Sequence, residues 1–77
     1  MEKLILFIVK ELVANPDAVA VEVKSNAKKI NINVSVLKSD IGKVIGRNAS
    51  VINAIRTIAK NLNPNQRVYV NVGEKNA

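Results

Sequence analysis

The sequence predicts an α+β fold: a two-layer sandwich of three strands covered by three helices, in the order helix, strand, strand, helix, helix, strand. Apolar residues recur at helical spacing in some segments and alternate along others, and Gly, Pro and Asn mark the connections. The 77 residues are expected to form a single domain over residues 1–77. Hydrophobic residues make up 48% of the chain and charged residues 23%, a balance typical of globular proteins.

The N-terminal segment is predicted to be an amphipathic helix that ends before Pro16. Its core residues follow an i, i+3, i+4, i+7, i+8 pattern and are Ile5, Ile8, Val9, Leu12 and Val13. Two strands with alternating apolar residues come next and are joined by a turn at residues 25–27 into a hairpin with one buried face. The buried residues are Val19, Val21 and Val23 in the first strand, and Ile30, Ile32, Val34 and Val36 in the second.

A short helix is predicted over Ile41–Ile45, with Ser39 or Asp40 as its cap, followed by a glycine-containing break at residues 46–49. A longer helix begins near Ser50 and ends at Asn63 and Pro64. Its predicted core stripe is Val51 or Ile52, Ile55, Ala59 and Leu62. The last strand is predicted over residues 67–72 and buries Val68, Val70 and Val72.

Positive charge is concentrated in the second and larger part of the chain. The net charge is +6, yet residues 1–22 carry two lysines against four carboxylates. Residues 23–73 carry nine Lys or Arg side chains against Asp40 alone. This asymmetry indicates one basic face and favours a polyanionic partner.

The most informative segment is residues 40–52, in which two predicted helices are joined by a very short basic loop. It contains an aliphatic pair, Val44-Ile45, followed directly by Gly46-Arg47-Asn48-Ala49. This pattern resembles the signature of KH domains, an aliphatic pair and Gly-x-x-Gly between two helices. The element order is similar to the type II KH arrangement, and the length to that of small single-domain bacterial KH proteins. The resemblance covers nearly the whole chain and implies RNA binding, with an RNA chaperone role.

The chemistry of such a loop supports the same function. A loop without bulky side chains lets its backbone approach a sugar-phosphate chain, and the start of the next helix offers unpaired N–H donors. A KH loop clamps about four nucleotides. Lys43 and Arg47 are expected to contact phosphates, while Val44 and Ile45 form one wall of an aliphatic groove for bases and residues 34–37 the other. The predicted RNA-binding residues are Lys38, Gly42, Lys43, Val44, Ile45, Gly46, Arg47, Asn48, Ala49 and Ser50.

Two positions in this segment leave alternatives open. The last glycine of the KH loop is Ala49 here. If that position requires positive φ or close approach of a phosphate, alanine costs about 1 kcal/mol and is expected to weaken the clamp on RNA. If it already lies in the first turn of the helix, alanine is harmless or helpful. Gly42 in a short helix costs about 0.8–1 kcal/mol relative to alanine, which predicts close approach of either a neighbouring element or a ligand. Lys28, Lys29 and Arg56 are expected to be solvated and lie outside the predicted site.

The composition argues against an enzyme. The chain has no Cys and no His, which excludes thiol nucleophiles, imidazole bases and metal sites built from those ligands. Asp40 is the only acid near the loop, so a pair of catalytic carboxylates is not expected there. Residues 42–47 lack the spacing and ending of a nucleotide-binding P-loop. We therefore expect no catalysis, no cofactor, no metal and no small-molecule substrate.

A cytoplasmic location is expected, because the longest apolar run, Leu4–Val9, has six residues, far fewer than the ~20 that span a bilayer. No signal-peptide pattern is present either. The alternative function is a protein-interaction module with a KH-like fold, since Phe7 and Tyr69 are the only aromatic residues available for base stacking. The partners considered are single-stranded RNA, a second copy in a homodimer and, as the resemblance implies, a larger jag-type KH protein.

Overall fold

Three helices and three strands follow one another in the predicted order in a computed structural model, which describes residues 2–75. The elements are α1 (Glu2–Leu12), β1 (Ala20–Ser25), β2 (Lys29–Val36), α2 (Ile41–Ile45), α3 (Ser50–Leu62) and β3 (Arg67–Glu74). Three short 3₁₀ segments lie in the connections: Pro16–Ala18, Lys38–Asp40 and Arg47–Ala49. The predicted α+β sandwich is confirmed. Within residues 2–75, no helix is long and apolar enough to span a membrane.

The sheet has the strand order β1-β2-β3, with β2 in the centre. β1 is antiparallel to β2, as expected for a hairpin, whereas β3 is parallel to β2. A parallel pair needs a crossover connection, and α2 with α3 provides it. In the register, Ile32 of β2 lies between Val23 of β1 and Val70 of β3. Because side chains alternate along each strand, all three residues face the same side of the sheet.

The core lies between the helices and this apolar face of the sheet. β2 buries four aliphatic side chains almost completely, while α1 packs on β1 and α3 packs on β3. The core residues are Ile5, Val9, Val13, Val19, Ile30, Ile32, Val34, Val36, Val44, Ile55 and Ala59. The opposite face of the sheet is polar and has exposed side chains on its outer strands, among them Glu22, Lys24, Tyr69 and Asn71.

Some details of the predicted core are wrong. Leu12 is 40% exposed and Leu62 is 57% exposed, because each is the last residue of its helix, where the chain leaves the sheet. The valines of β3 are only partly buried, since β3 is an edge strand. β3 also continues to Glu74, where the register still pairs it with Val36. Ser25, predicted in the turn, instead pairs with Ile30 as the last residue of β1.

Asp40 is a buried carboxylate that joins two distant segments. Its Oδ1 accepts the N–H of Ala14 at 3.2 Å, and its Oδ2 accepts the N–H of Asn15 at 3.2 Å and the Asn15 Nδ2 at 3.1 Å. Burial acts to raise the pKa of Asp40, but these hydrogen bonds and the nearby Lys43 ammonium outweigh it and hold the pKa below 3.8. The predicted capping role was wrong: the side chain makes no capping bond to α2 because it binds residues 14–15.

Candidate nucleic-acid interface

The loop between α2 and α3 bends sharply at Gly46. Its φ of 73° and ψ of 175° belong to a region that only glycine adopts readily. A Cβ at this position would also lie 2.7 Å from Val51 Cγ2 and 2.9 Å from Ser50 Oγ. Glycine is therefore required at position 46 for two reasons: the backbone conformation there and the close packing of the first turn of α3.

The loop leaves backbone donors available. The N–H of Gly46 donates to the Gly42 carbonyl at 2.9 Å, and the N–H of Ala49 donates to the Gly46 carbonyl at 3.3 Å. Between them, the N–H groups of Arg47 and Asn48 have no acceptor within residues 2–75, and both residues are exposed. The N-terminus of α3, which follows directly, carries a partial positive charge. This combination favours binding of an anion.

Ala49 adopts the left-handed conformation, with φ 59° and ψ 28°. The position therefore has the positive φ of the first alternative, which costs alanine about 1 kcal/mol relative to an unstrained residue. A weaker clamp on RNA stays a prediction. Asn48 shares this conformation, with φ 55° and ψ 34°, but asparagine tolerates it better. The loop thus places two left-handed residues in succession directly before α3.

Gly42 lies on an exposed part of α2, and a Cβ there would meet no atom within 4 Å. Packing of a neighbouring element against Gly42, one of the two explanations for this glycine, is therefore wrong. Approach of a ligand stays a prediction. The surface beside the loop is open at this point, so a sugar-phosphate chain could come close to the α2 backbone.

The three predicted cations differ in their surroundings. Lys43 Nζ lies 3.5 Å from Asp40 Oδ1, so part of its charge is already balanced by a buried carboxylate. Arg47 and Lys38 are exposed and form no ion pair within the part of the chain that the structure describes. Arg47 is consequently the loop cation with the least competition from acidic side chains.

The predicted aliphatic groove needs a correction. Val44 is completely buried, because it lies on the face of α2 that packs into the core, and it has no surface to offer a base. Val34 and Val36 are buried in the same way. The aliphatic side chains that remain partly accessible are Ile45 and Leu37. Val44 therefore anchors α2 in the core.

The remaining predicted residue, Ser50, is exposed at the start of α3. Sequence reasoning missed Asn15, whose backbone and side-chain amides hold Asp40 beneath Lys43. No local pattern could have indicated this contact, since the two residues are 25 positions apart. No group of three or more acidic, His or Cys side chains among residues 2–75 is placed to hold a metal ion.

Residues 2–72 match the family described as KhpA/KhpB, KH domain. The RNA-binding protein KhpA of Streptococcus pneumoniae serotype 4 is 40% identical over 58 residues, covering 75% of this chain and 73% of that protein. KhpA of Caldanaerobacter subterraneus subsp. tengcongensis is 40% identical over 74 residues, covering 94% of this chain and 99% of that protein. No solved structure matches the chain. The resemblance seen in the loop sequence is thus confirmed, and the chain belongs to the KhpA/KhpB family of KH-domain proteins.

Proposed function

We propose that this chain binds single-stranded RNA, without catalysis, through the loop Gly46–Ala49 and the residues around it. The observation that carries the proposal is the pair of exposed, unpaired N–H groups at Arg47 and Asn48, held in a glycine-bent loop before α3. Two adjacent donors at a helix N-terminus suit a phosphate group. The KhpA relatives are named RNA-binding proteins, which supports RNA as the polyanion.

The surrounding residues suit a strand of about four nucleotides. One phosphate would accept the loop N–H groups, and the side chains of Arg47 and Lys38 would hold its neighbours. The open surface at Gly42 lets the backbone of the strand come close to α2. Bases would lie against Ile45 and Leu37, which are aliphatic and offer no hydrogen bonds from their side chains. This chemistry favours weak recognition with little sequence preference, as an RNA chaperone or a post-transcriptional regulator requires.

The same reasoning extends to the class and location of the protein. We infer one domain over residues 1–77 and no enzyme activity, since the chain has no His or Cys and only Asp40 lies near the loop. A cytoplasmic location follows from the proposal, because the relatives are bacterial RNA-binding proteins and the RNA of a bacterium is cytoplasmic. A protein partner is inferred as well, either a second copy or a larger jag-type KH protein. The exposed side chains of Leu4 and Phe7 on α1 support such a contact.

An amide chemical-shift titration with a mixed-sequence RNA tetranucleotide tests the proposal. We expect shifts centred on residues 42–52 at low salt. If three phosphates are neutralised, the logarithm of the affinity should fall with the logarithm of the salt concentration with a slope of about −2. The double variant Arg47→Asp/Asn48→Asp should lose binding and keep its fold, since both residues are exposed.

A matched control is the double variant Lys10→Asp/Asn61→Asp, which changes the net charge by the same amount at exposed positions of α1 and α3. It should bind the tetranucleotide with an affinity only modestly below that of the unaltered chain. Equal losses in both double variants would show that net charge governs binding and that the loop has no special part in it. Shifts centred outside residues 42–52 would move the site elsewhere.

A further inference from the structure

A second basic surface lies at the end of the sheet where β2 and β3 begin. Two concavities of about 470 Å³ and 400 Å³ meet there and share Arg67 and Tyr69. Lys28 and Lys29 line the first, and Arg56 and Lys60 of α3 line the second. We call the six residues Lys28, Lys29, Arg56, Lys60, Arg67 and Tyr69 the Tyr69 surface. Tyr69 itself is 44% exposed, so its ring is available to a ligand.

Like charges are brought together at the Tyr69 surface. Lys29 lies directly opposite Arg67 in the register of β2 and β3, and like charges in this position destabilise a sheet. Arg56 and Lys60 are four residues apart on α3, which is also unfavourable for two cations. Within residues 2–75, the ion pairs are Lys24–Glu22 and Lys43–Asp40, and none involves the Tyr69 surface. A bound anion would relieve this repulsion.

The cations are also held on a well-connected scaffold. The Asn26 side chain accepts the N–H groups of Lys28 at 2.8 Å and Lys29 at 2.9 Å, which fixes the hairpin turn. That turn is joined to the connection before β3, because Arg67 N–H donates to the Lys28 carbonyl at 2.9 Å and Gln66 Nε2 donates to the Asn26 carbonyl. The fold therefore sets the backbone positions from which these charged side chains extend.

On the α3 side, Lys60 is positioned by the same connection. Its Nζ donates to the carbonyl of Pro64 at 3.0 Å and to that of Gln66 at 2.8 Å. These carbonyls hold the ammonium in place without neutralising its charge. The arrangement keeps a cation beside Arg67 and Tyr69, at the edge of the sheet.

We propose that the Tyr69 surface is a second contact for the same RNA strand, in which the cations hold phosphates and the Tyr69 ring stacks on a base. An exposed aromatic ring among cations is the combination with which proteins bind single-stranded nucleic acids. The inference rests on the proposed function. α3 runs from the loop to this surface and, at 13 residues, is about 20 Å long. At about 3.4 Å per nucleotide in a fully stacked strand, some six nucleotides bridge the two contacts, so a strand of about ten nucleotides is long enough to reach both.

Tyr69 provides its own probe, because the chain has one tyrosine and no tryptophan. Titration with a 12-nucleotide single strand should quench the tyrosine emission, whereas a tetranucleotide bound at the loop should leave it unchanged. N-acetyltyrosinamide titrated with the same strands corrects for absorption of light by the RNA. The 12-nucleotide strand should also bind the protein more tightly than the tetranucleotide does.

Variants then separate the two contacts. Tyr69→Leu should weaken binding of the 12-nucleotide strand at least about fivefold. Lys29→Ala/Arg67→Ala should reduce the steepness of the salt dependence by about 1.4. Both should bind the tetranucleotide as the unaltered chain does. Lys3→Ala/Lys10→Ala, which removes two exposed charges from α1, is the matched control.

The outcomes distinguish the two proposals. Equal affinity for the two strand lengths, or unchanged 12-nucleotide binding in both Tyr69-surface variants, would overturn the second contact while the loop proposal stands. Binding of the 12-nucleotide strand that survives Arg47→Asp/Asn48→Asp but is lost in the Tyr69-surface variants would overturn the loop and retain the Tyr69 surface. No binding of either strand by the folded protein would overturn both.

Discussion

Replacing Ala49 with glycine should stabilise the protein. Ala49 has φ 59° and ψ 28°, a conformation that costs an L-residue roughly 1–2 kcal/mol and costs glycine almost nothing. Glycine also increases the entropy of the unfolded chain, which offsets about 0.4–1 kcal/mol of this gain. Position 49 is the N-cap of α3, where glycine is preferred to alanine. The expected net change is a rise of about 0.5–1 kcal/mol in the free energy of unfolding.

Urea unfolding followed by circular dichroism measures this change, and the melting temperature should rise by about 2–8 °C. The matched control is Ala54→Gly, because Ala54 is exposed in the middle of α3 and has no positive φ. That variant should lose about 0.8–1 kcal/mol. A stability of Ala49→Gly equal to or below that of the unaltered chain would refute the assignment of backbone strain to this position.

Four further predictions concern other residues. Gly46→Ala should destabilise the fold by about 1–3 kcal/mol in urea melts. Gly42→Ala should instead stabilise the fold by up to about 1 kcal/mol and yet weaken tetranucleotide binding. Unchanged affinity in Gly42→Ala would show that no ligand approaches Gly42. The pKa of Asp40 is lowered from 3.8 in the folded protein, so its stabilising contribution is complete above pH 3.8 and is lost as the pH falls through the folded-state pKa. Asp40→Asn should therefore reduce the fall in the free energy of unfolding below pH 3.8. Lys29→Glu should raise the free energy of unfolding by about 0.2–1 kcal/mol, since it places a negative charge opposite Arg67. The same variant should weaken binding of the 12-nucleotide strand. A lower free energy of unfolding would argue against repulsion between Lys29 and Arg67.

The elements were predictable because they depend on local patterns. Helical spacing located α1 and α3, alternation located β2, and the glycine-containing break after residue 45 helped to locate α2, whose predicted bounds Ile41–Ile45 match. The exposure of Leu12 and Leu62 was not predictable, because it depends on where each helix ends relative to the sheet. The partial exposure of β3 likewise depends on its place at the edge, which alternation along a single strand does not reveal.

The candidate site was predictable in composition and less so in geometry. The aliphatic pair Val44-Ile45 and the Gly46-Arg47-Asn48-Ala49 that follows it indicated the loop, but the burial of Val44 depends on how α2 packs. The conformation of Ala49 depends on how the chain enters α3, and the sequence left both alternatives open. The Tyr69 surface requires α3 to pack on β3 and β3 to pair in parallel with β2, which places Lys29 opposite Arg67, and single-sequence patterns specify neither.

The parallel pairing also has a consequence for the order of folding. β1 and β2 are joined by a short turn and can pair early, whereas partners on β2 and β3 such as Asn33 and Asn71 are 38 positions apart. Closing that longer segment has an entropic cost which slows the step, unless α2 and α3 are already formed and shorten it. The loop at Gly46 lies within this segment. Because α2 and α3, which flank this loop, both pack on β3, the loop is expected to be held in its final position only after β3 has joined the sheet.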